Sequence, residues 1–454
     1  MLPDDVLLEV FDLCRGDYEY FSLKMWKPLV HVCQRWRQIV FGSPRRLHLV
    51  LDGDAKTLAR SLATWQPTLP IAMRYTANQE EGEENVIAAL GHRHRVLRIV
   101  IKKLTGHVLE RFTVVMQEPF PVLTHLRLQS IDETRLIIPN EFLGGSAPQL
   151  RVFFLEGIAF PTLPRLVASA THLTNPRLEK IPDAGYIPPE AMASCLSMLL
   201  KLEDLVIGFQ SRQSPRSQVT PASTTRLPSL TRFEFRGENE YLKNLIAGIR
   251  APNLDILRIW FFADVTFVNP QLHNFIDVAE KLRQFKRAHI SLEPWSVGIT
   301  FGRPTSLDLG TRCDRLDQRI SWMAQLCGAL LHLLCHVEDL EISGDADSPS
   351  ELQGAMEAES PWLELFRTFT AVRHLYVTRK LGPLVAHALQ DLNGERASEV
   401  LPTLHNLFLG GLEQYRYVED VIEPFNNARR HSNRSVAVEN WEQDPYQELE
   451  HDWQ

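Results

Sequence analysis

A short apolar frame recurs along most of this chain and restricts what it can fold into. In segment 121–128, Leu123, Leu126 and Leu128 occupy positions 0, +3 and +5. The frame returns as Leu150/Phe153/Leu155, Leu202/Leu205/Ile207, Leu230/Phe233/Phe235, Leu254/Leu257/Ile259, Val337/Leu340/Ile342, Val372/Leu375/Val377 and Leu404/Leu407/Leu409, with degenerate copies at His94/Leu97/Ile99 and Leu173/Pro176/Leu178. Neighbouring copies are about 24 to 29 residues apart where the series is unbroken, which is the spacing of a repeat protein.

The frame predicts one short strand per repeat. Positions +3 and +5 differ by two, so both side chains point to the same face and enter the core, while +2 and +4 point outward. Helix-like stretches lie between the strands, at 163–170, 189–200, 240–249, 271–282, 320–334, 362–369 and 381–392. We therefore predict an α/β repeat solenoid with a parallel sheet and helices on its convex side. The alternative, ordinary βαβ units of a doubly wound fold, predicts neither a fixed period nor a repeated frame.

Interruptions of the period mark loops and boundaries. Segment 211–226 contains Ser, Thr, Pro and three arginines without an acidic residue, which predicts an exposed, flexible loop. Residues 285–310 break the period, and their alternation indicates an inserted hairpin. We expect the solenoid to span residues 47–437. An acidic tail at 438–454 then either folds back as a cap or stays free.

Residues 1–46 differ from the repeats and favour two short amphipathic helices. Pro3 suits a first helical position, and Asp4 and Asp5 complement the positive end of the helix dipole. The apolar residues that share a face are Val6, Leu7, Val10, Phe11 and Cys14 in the first helix, and Trp26, Leu29, Cys33, Trp36 and Val40 in the second. So small a segment buries too little surface to be stable by itself. It should dock on another protein or cap the repeats.

The run from Leu2-Pro3 to Trp36-Arg37 resembles an F-box, the docking module of ubiquitin-ligase receptors. In that family these helices clamp the small adaptor subunit of an SCF-type cullin-RING ligase. The resemblance implies adaptor contacts by Leu2, Pro3, Val6, Leu7, Val10, Phe11, Leu29, Val32, Cys33 and Trp36. The connection from Arg15 to Met25 is longer than in generic F-boxes, and Met1 directly precedes the motif. The longer form, which runs to Leu47, is similar to F-box proteins of mushroom-forming fungi.

The repeats resemble the irregular leucine-rich repeats that often follow F-boxes, since they lack the asparagine ladder of the commonest class. The combined resemblance implies a small all-α F-box at 1–46, followed by a leucine-rich-repeat-like solenoid with a curved parallel sheet. It also implies the partners: the SCF-type adaptor, a cullin bound through that adaptor, and a protein substrate.

Composition restricts the class of protein. With 454 residues, 44% of them hydrophobic and 23% charged, the chain is expected to be globular. The net charge of -8 gives no overall electrostatic basis for binding nucleic acid or a membrane. No apolar run approaches the roughly 18 residues that span a bilayer, and no charged-then-apolar leader opens the chain. Six scattered cysteines fit reduced thiols, so we expect an intracellular protein of the cytoplasm or nucleus.

The sequence contains none of the common catalytic motifs. It has no phosphate loop, dinucleotide fingerprint, His-Glu-x-x-His or Gly-x-Ser-x-Gly. Cys327, Cys335 and His336 come nearest to a metal motif, but their spacing within an apolar helical run does not match zinc sites and no fourth ligand follows. Core thiols explain these cysteines better. We therefore expect no enzymatic activity, no metal and no cofactor.

Function is expected to reside in the outward strand positions. Aromatic and arginine side chains are enriched where protein interfaces bind most tightly. Eight such residues occupy positions +2, +4 or +6 of the frames: Arg127, Phe154, Arg232, Arg236, Arg258, Trp260, Tyr376 and Phe408. We predict that they bind a protein substrate. The alternative is that loops cover some of these aromatic side chains, which would make them a secondary core.

Two classes of function follow. In the first, the chain is the substrate-recognition subunit of an SCF-type ligase and performs no chemistry itself. In the second, it is a leucine-rich-repeat scaffold outside any ligase, with the N-terminal helices as a cap. An unrecognised enzyme is a third and weaker alternative. The feature that discriminates between the first two classes is whether Leu7, Phe11 and Trp36 face solvent or core in the isolated chain. An exposed apolar stripe would favour docking.

Overall fold

The architecture is seen in a computed structural model. It describes residues 2–13, 29, 31–42, 49–52, 70–76, 82–131, 136–212, 224–262, 270–302, 304–344, 359–390, 392, 396–410, 417–430 and 434–441. The chain divides into two compact units, Met1–Ser211 and Arg212–Gln454. Predicted residues Cys14 and Trp26 lie outside the described part, as does most of the predicted loop at 211–226.

The first unit opens with the predicted helix pair. Helix α1 (Asp4–Leu13) starts directly after Pro3, and its N-terminal turn contains Asp4 and Asp5. The backbone N–H of Leu7 donates to the carbonyl of Pro3 at 3.0 Å, so the helical hydrogen bonding begins at the proline. Residues 31–32 are also helical, and α2 (Gln34–Gly42) follows.

The rest of the first unit is a parallel sheet whose strands lie in sequence order. Its strands are β1 (Leu49–Asp52), β2 (Ile71–Thr76), β3 (Val96–Leu104), β4 (His125–Ser130), β6 (Val152–Glu156), β8 (Asn175–Ile181) and β9 (Asp204–Phe209). A small parallel pair, β5 (Leu136–Ile137) with β7 (Ile158–Ala159), lies apart from this sheet. The connecting helices are α3 (Glu83–Leu90), α4 (Gly106–Val115), α5 (Leu163–Ser169) and α6 (Pro189–Leu196).

The second unit repeats this plan with more strands. They are β10 (Thr225–Arg226), β11 (Arg232–Gly237), β12 (Ile249–Arg250), β13 (Ile256–Phe261), β14 (Arg287–Glu293), β15 (Ser296–Phe301), β16 (Ser306–Arg312), β17 (Asp339–Gly344), β18 (His374–Val377), β19 (Asn406–Gly410) and β20 (Ala437–Trp441). The helices are α7 (Asn239–Ala247), α8 (Pro270–Val278), α9 (Leu316–Ala329), α10 (Leu331–Leu334), α11 (Glu359–Arg367), α12 (Gly382–Gln390), α13 (Arg396–Glu399) and α14 (Tyr417–Arg430).

The apolar frame forms the core of both units. Every residue of the eight regular copies is buried, because positions 0, +3 and +5 all point between the sheet and the helices. Strand register follows the frame as well: Leu126 pairs with Phe153 in the first unit, and Phe233 pairs with Leu257 in the second. The predicted α/β architecture, with a large and mainly parallel sheet, is therefore what the chain adopts.

The predicted phase of one degenerate copy, His94/Leu97/Ile99, is wrong. The register pairs Ile99 with Leu126 and Ile101 with Leu128, so the frame in β3 is Val96/Ile99/Ile101 and not His94/Leu97/Ile99. His94 is exposed, whereas Val96 is buried. The cause is that β3 carries apolar residues on both faces, so alternation alone does not fix which face is inward.

The interruption at 285–310 reverses the strand order. In the sheet, β13 is followed by β16, β15, β14 and then β17. Strand β15 is antiparallel to both neighbours, whereas β16 lies parallel to β13 and β14 lies parallel to β17. The buried guanidinium of Arg319 in α9 donates to the backbone carbonyls of Leu292, Glu293 and Asp314. It thereby holds the end of β14 against the helix that follows the reversal.

Several predicted boundaries shift. The predicted helix 320–334 begins earlier and is divided into α9 and α10 at Leu330. The predicted helix 240–249 ends before Ile249, which belongs to β12. The first residues of the predicted acidic tail belong to the sheet, because Val438 to Trp441 pair with β19. Residues 442–454 lie outside the described part. No helix in the described part of the chain is both long and apolar enough to cross a membrane.

Candidate protein-interaction surfaces

The helix pair has a small core of its own. Leu7 and Phe11 of α1 are buried against Ile39 and Val40 of α2, and Leu8, Leu29 and Trp36 pack around them. The rings of Phe11 and Trp36 meet edge to face, with centroids 4.7 Å apart. Among the described residues, this cluster contains no side chain from beyond Val40. The pair therefore holds together through contacts within itself.

An ion pair joins the N-terminal ends of the two helices. The guanidinium of Arg35 in α2 lies 2.6 Å from Oδ1 of Asp4 and also donates to the carbonyl of Leu2. Both charged side chains are partly exposed, so the pair contributes at most about 1 kcal/mol to stability. Its main effect is to fix the position of the first residues of the chain on α2.

The edge of the apolar face of α1 that adjoins Leu7 and Phe11 is exposed. Leu2, Val6 and Val10 are spaced four residues apart and are 53%, 39% and 39% exposed, and Val32 is 59% exposed. We call these four residues the apolar stripe. Of the other predicted adaptor residues, Pro3 and Cys33 are exposed, whereas Leu29 and Trp36 are half-buried. Leu7 and Phe11 do not face solvent, because their side chains form the core that keeps the helices together.

In the first unit, the outward face of the sheet is largely covered by its own side chains. The guanidinium of Arg127 lies 4.2 Å from the ring centroid of Phe154 on the neighbouring strand. Phe154 is consequently only 5% exposed. It occupies the predicted outward position, but Arg127 covers it, so Arg127 is the residue that a partner would meet. Arg177, the next residue in this row, pairs with Asp204 at 3.2 Å.

In the second unit, the outward arginines form a ladder of ion pairs. Arg232 donates to Oε1 of Glu234 at 2.7 Å, and Arg258 donates to the same oxygen at 3.4 Å and to Oδ2 of Asp308 at 3.0 Å. The row continues at His289, which approaches Oε1 of the buried Glu341 at 4.0 Å. Arg232 and Arg258, two of the arginines predicted to bind substrate, are thus balanced by acidic neighbours. Asp308 is one of these acidic neighbours. The alternation of residues in the inserted strands is the sequence signal by which it could have been found.

Trp260 lies against the backbone of the neighbouring strand. It pairs in register with Gly310 of β16, and a Cβ atom at Gly310 would lie 2.6 Å from Cζ3 of the indole. Trp260 is therefore half-buried in a space that only glycine provides. Arg236, its partner in register on β11, is exposed. The sequence predicted the outward position of Trp260 but not the glycine that receives it.

The last strands of the second unit carry a half-buried aromatic cluster. The rings of Tyr376 and Phe408 stack with centroids 4.6 Å apart and an interplanar angle of 6°. Trp441 approaches Tyr376 edge-on at 5.4 Å. We call Tyr376, Phe408 and Trp441 the aromatic trio. Trp441 was missed as a site residue because it was assigned to the tail, although its place on β20 continues the frame of outward positions.

The chain matches no protein-family model, and no curated protein matches its sequence.

Proposed function

We propose that this chain is the substrate-recognition subunit of an SCF-type cullin-RING ubiquitin ligase. In this proposal residues 1–46 are an F-box that docks on the adaptor, and the repeats are a leucine-rich-repeat solenoid that binds a protein substrate inside the cell. The observation that carries the proposal is the apolar stripe. A helix pair that has its own core and still exposes Leu2, Val6, Val10 and Val32 is typical of a docking module.

The size of the stripe limits what it can do alone. Fully burying an exposed Val or Leu side chain contributes about 1.5–3 kcal/mol, and these four are already about half covered. They would supply about 3–6 kcal/mol, against an association cost of about 4–15 kcal/mol. Docking therefore needs further contacts around the stripe, for which the exposed Pro3 and Cys33 are candidates.

The test is binding of the purified SCF-type adaptor to the full chain. Val6→Asp with Val10→Asp places two charges in the stripe, so we expect binding to be lost. The matched control is Val114→Asp on α4, where a valine 68% exposed outside the stripe receives the same substitution. Leu7→Ala with Phe11→Ala is less informative, because removing buried side chains also unfolds the helix pair. Equal binding by the wild type and the stripe variant, both folded by circular dichroism, would refute docking and leave the scaffold alternative.

The aromatic trio is the surface that we assign to the substrate. Its rings are packed against one another and half exposed, so a partner can cover them without reordering flexible side chains. Phe408→Ala with Trp441→Ala should remove one class of co-purified protein while leaving the adaptor bound. Trp295→Ala changes an aromatic residue that is 62% exposed elsewhere in the unit and should change neither. An unchanged set of co-purified proteins would contradict the assignment.

A further inference from the structure

Two histidines and an aspartate converge between two helices of the second unit. His273 and Asp277 are one turn apart on α8, and His332 belongs to α10. Nε2 of His273 lies 3.1 Å from Oδ2 of Asp277, and Nε2 of His332 lies 3.6 Å from Oδ1 of the same carboxylate. The two imidazole rings meet at nearly a right angle, with centroids 3.8 Å apart.

Hydrogen bonding within the cluster does not account for this arrangement. Nε2 of His332 is buried, yet it makes no hydrogen bond to any described residue, and 3.6 Å to the carboxylate is too long for one. A buried ring nitrogen without a partner is costly. A ligand that accepts its lone pair would remove that cost.

The spacing fits a tetrahedral metal ion. One ligand atom from each of the three residues can be chosen so that all lie within 4.8 Å of one another. Atoms bound to Zn²⁺ at about 2.0–2.1 Å in tetrahedral geometry lie about 3.3–3.4 Å apart. The two histidine nitrogens lie 3.1 Å and 3.6 Å from different oxygens of the Asp277 carboxylate, so both are within reach of one ion at that carboxylate.

We propose that His273, Asp277 and His332 bind a divalent transition-metal ion of the Zn²⁺ class, with the fourth position filled by water. Two imidazoles and one carboxylate suit zinc better than Mg²⁺ or Ca²⁺, which require mainly oxygen ligands. Each ligand side chain remains partly exposed, so the ion can enter from solvent.

The position of the site indicates a structural role. Helix α8 precedes the reversed strands β14 to β16, and α10 follows them. An ion held by both helices would close the loop that contains the reversal and stabilise the folded second unit. No spacing along the chain indicates this site, because the reversed strands and α9 lie between the two helices that contain its ligands.

The test is titration of the chelator-treated full chain with Zn²⁺. We expect one ion per chain and a melting temperature that rises with Zn²⁺. His273→Ala and Asp277→Asn should each weaken binding by at least about tenfold, because even losing an outer partner of a metal ligand costs about 10–100-fold. Both side chains are sufficiently exposed for the variants to fold. His405→Ala, at an exposed histidine of the same unit, is the matched control and should bind as the wild type does.

A second readout is the visible absorption of bound Co²⁺, which reports tetrahedral nitrogen and oxygen ligation. The wild type and His405→Ala should give this spectrum, and the ligand variants should not. The proposal fails if the wild type binds no Zn²⁺, or if His273→Ala and Asp277→Asn bind it as tightly as the wild type.

Discussion

The guanidinium of Arg258 donates from Nε to Oδ2 of Asp308 at 3.0 Å, between two parallel strands that are neighbours in the sheet but 50 residues apart in the chain. Ser306 donates to the same oxygen at 3.2 Å. Asp308 is buried, and burial raises its pKa although Arg258, Thr300 and Ser306 act in the opposite direction. The free-energy cost of removing this charged carboxylate from water is therefore larger than the stabilisation that its three partners provide.

The raised pKa of Asp308 gives a pH-dependent stability. For an acid whose pKa is higher in the folded state, the favourable contribution is complete below the unfolded value of 3.8 and is lost as pH rises through the folded value. Asp308→Asn cannot ionise, so the wild type should lose stability relative to this variant as pH rises from about 4 towards neutral. Urea unfolding at a series of pH values measures the difference. A difference that does not change with pH would contradict the prediction.

Arg429 should contribute far more than its neighbour Arg430 to the free energy of unfolding. The buried guanidinium of Arg429 donates to the carbonyls of Ala397, Val400, Leu401, Pro402, Leu404 and Arg434. Arg429→Leu leaves these carbonyls without their donor and should lower the free energy of unfolding by at least about 3 kcal/mol. Arg430 is exposed, so Arg430→Leu should change it by less than about 0.5 kcal/mol. Urea unfolding of both variants compares them directly, and similar losses would show that the buried hydrogen bonds contribute little.

Gly310 and Trp260 should be energetically coupled. Gly310→Ala places a methyl group 2.6 Å from the indole and should destabilise the chain by about 1–3 kcal/mol. In a Trp260→Ala background that clash is gone, so the same substitution should cost much less. A double-mutant cycle by chemical unfolding measures the coupling. Equal costs in the two backgrounds would mean that the nearby carbonyl of Val297, and not the indole, excludes the methyl group.

The cysteines should differ in their rates of alkylation, and the rate at Cys33 should show whether the adaptor is bound. Cys33 and Cys335 are exposed, whereas Cys195 and Cys327 are buried, and burial raises the pKa of Cys195 to about 11. At mildly alkaline pH, alkylation should modify Cys33 and Cys335 in the native chain and Cys195 and Cys327 only after unfolding. If the proposed docking is right, bound adaptor should slow alkylation of Cys33 and leave Cys335 unchanged. Mass spectrometry resolves the four sites, and slowing of Cys335 alone would place the adaptor elsewhere.

Cys335 shows where sequence interpretation of a single residue failed. The apolar run predicts a core thiol at this position, but the helix breaks at Leu330 and the short α10 turns Cys335 outward. The same break brings His332 towards His273, which no spacing along the chain indicated. Local periodicity assumes one continuous helix, and it has no means of placing a side chain once that helix ends.

The predicted adaptor residues of α1 also show what the sequence could and could not predict. Spacing put Leu7 and Phe11 with Val6 and Val10 on one broad apolar face of α1, and this grouping was correct. Which part of that face is covered depends on where α2 packs, and it packs on Leu7 and Phe11. The exposed stripe is therefore the remainder of the face. A helix that is apolar over a wide arc does not encode which edge of that arc its neighbour will cover.

The sequence by itself determined the repeating unit of this protein: one strand per frame, with positions 0, +3 and +5 inward, because burial of alternate side chains is a local property of an extended chain. Tertiary structure alone decided where the sequential order of neighbouring strands is broken. The reversed order of β14, β15 and β16, the pairing of Arg258 with Asp308, and the meeting of His273 with His332 all depend on contacts between segments far apart in the chain. Such contacts are selected by packing of the whole unit, and a period along the sequence contains no information about them.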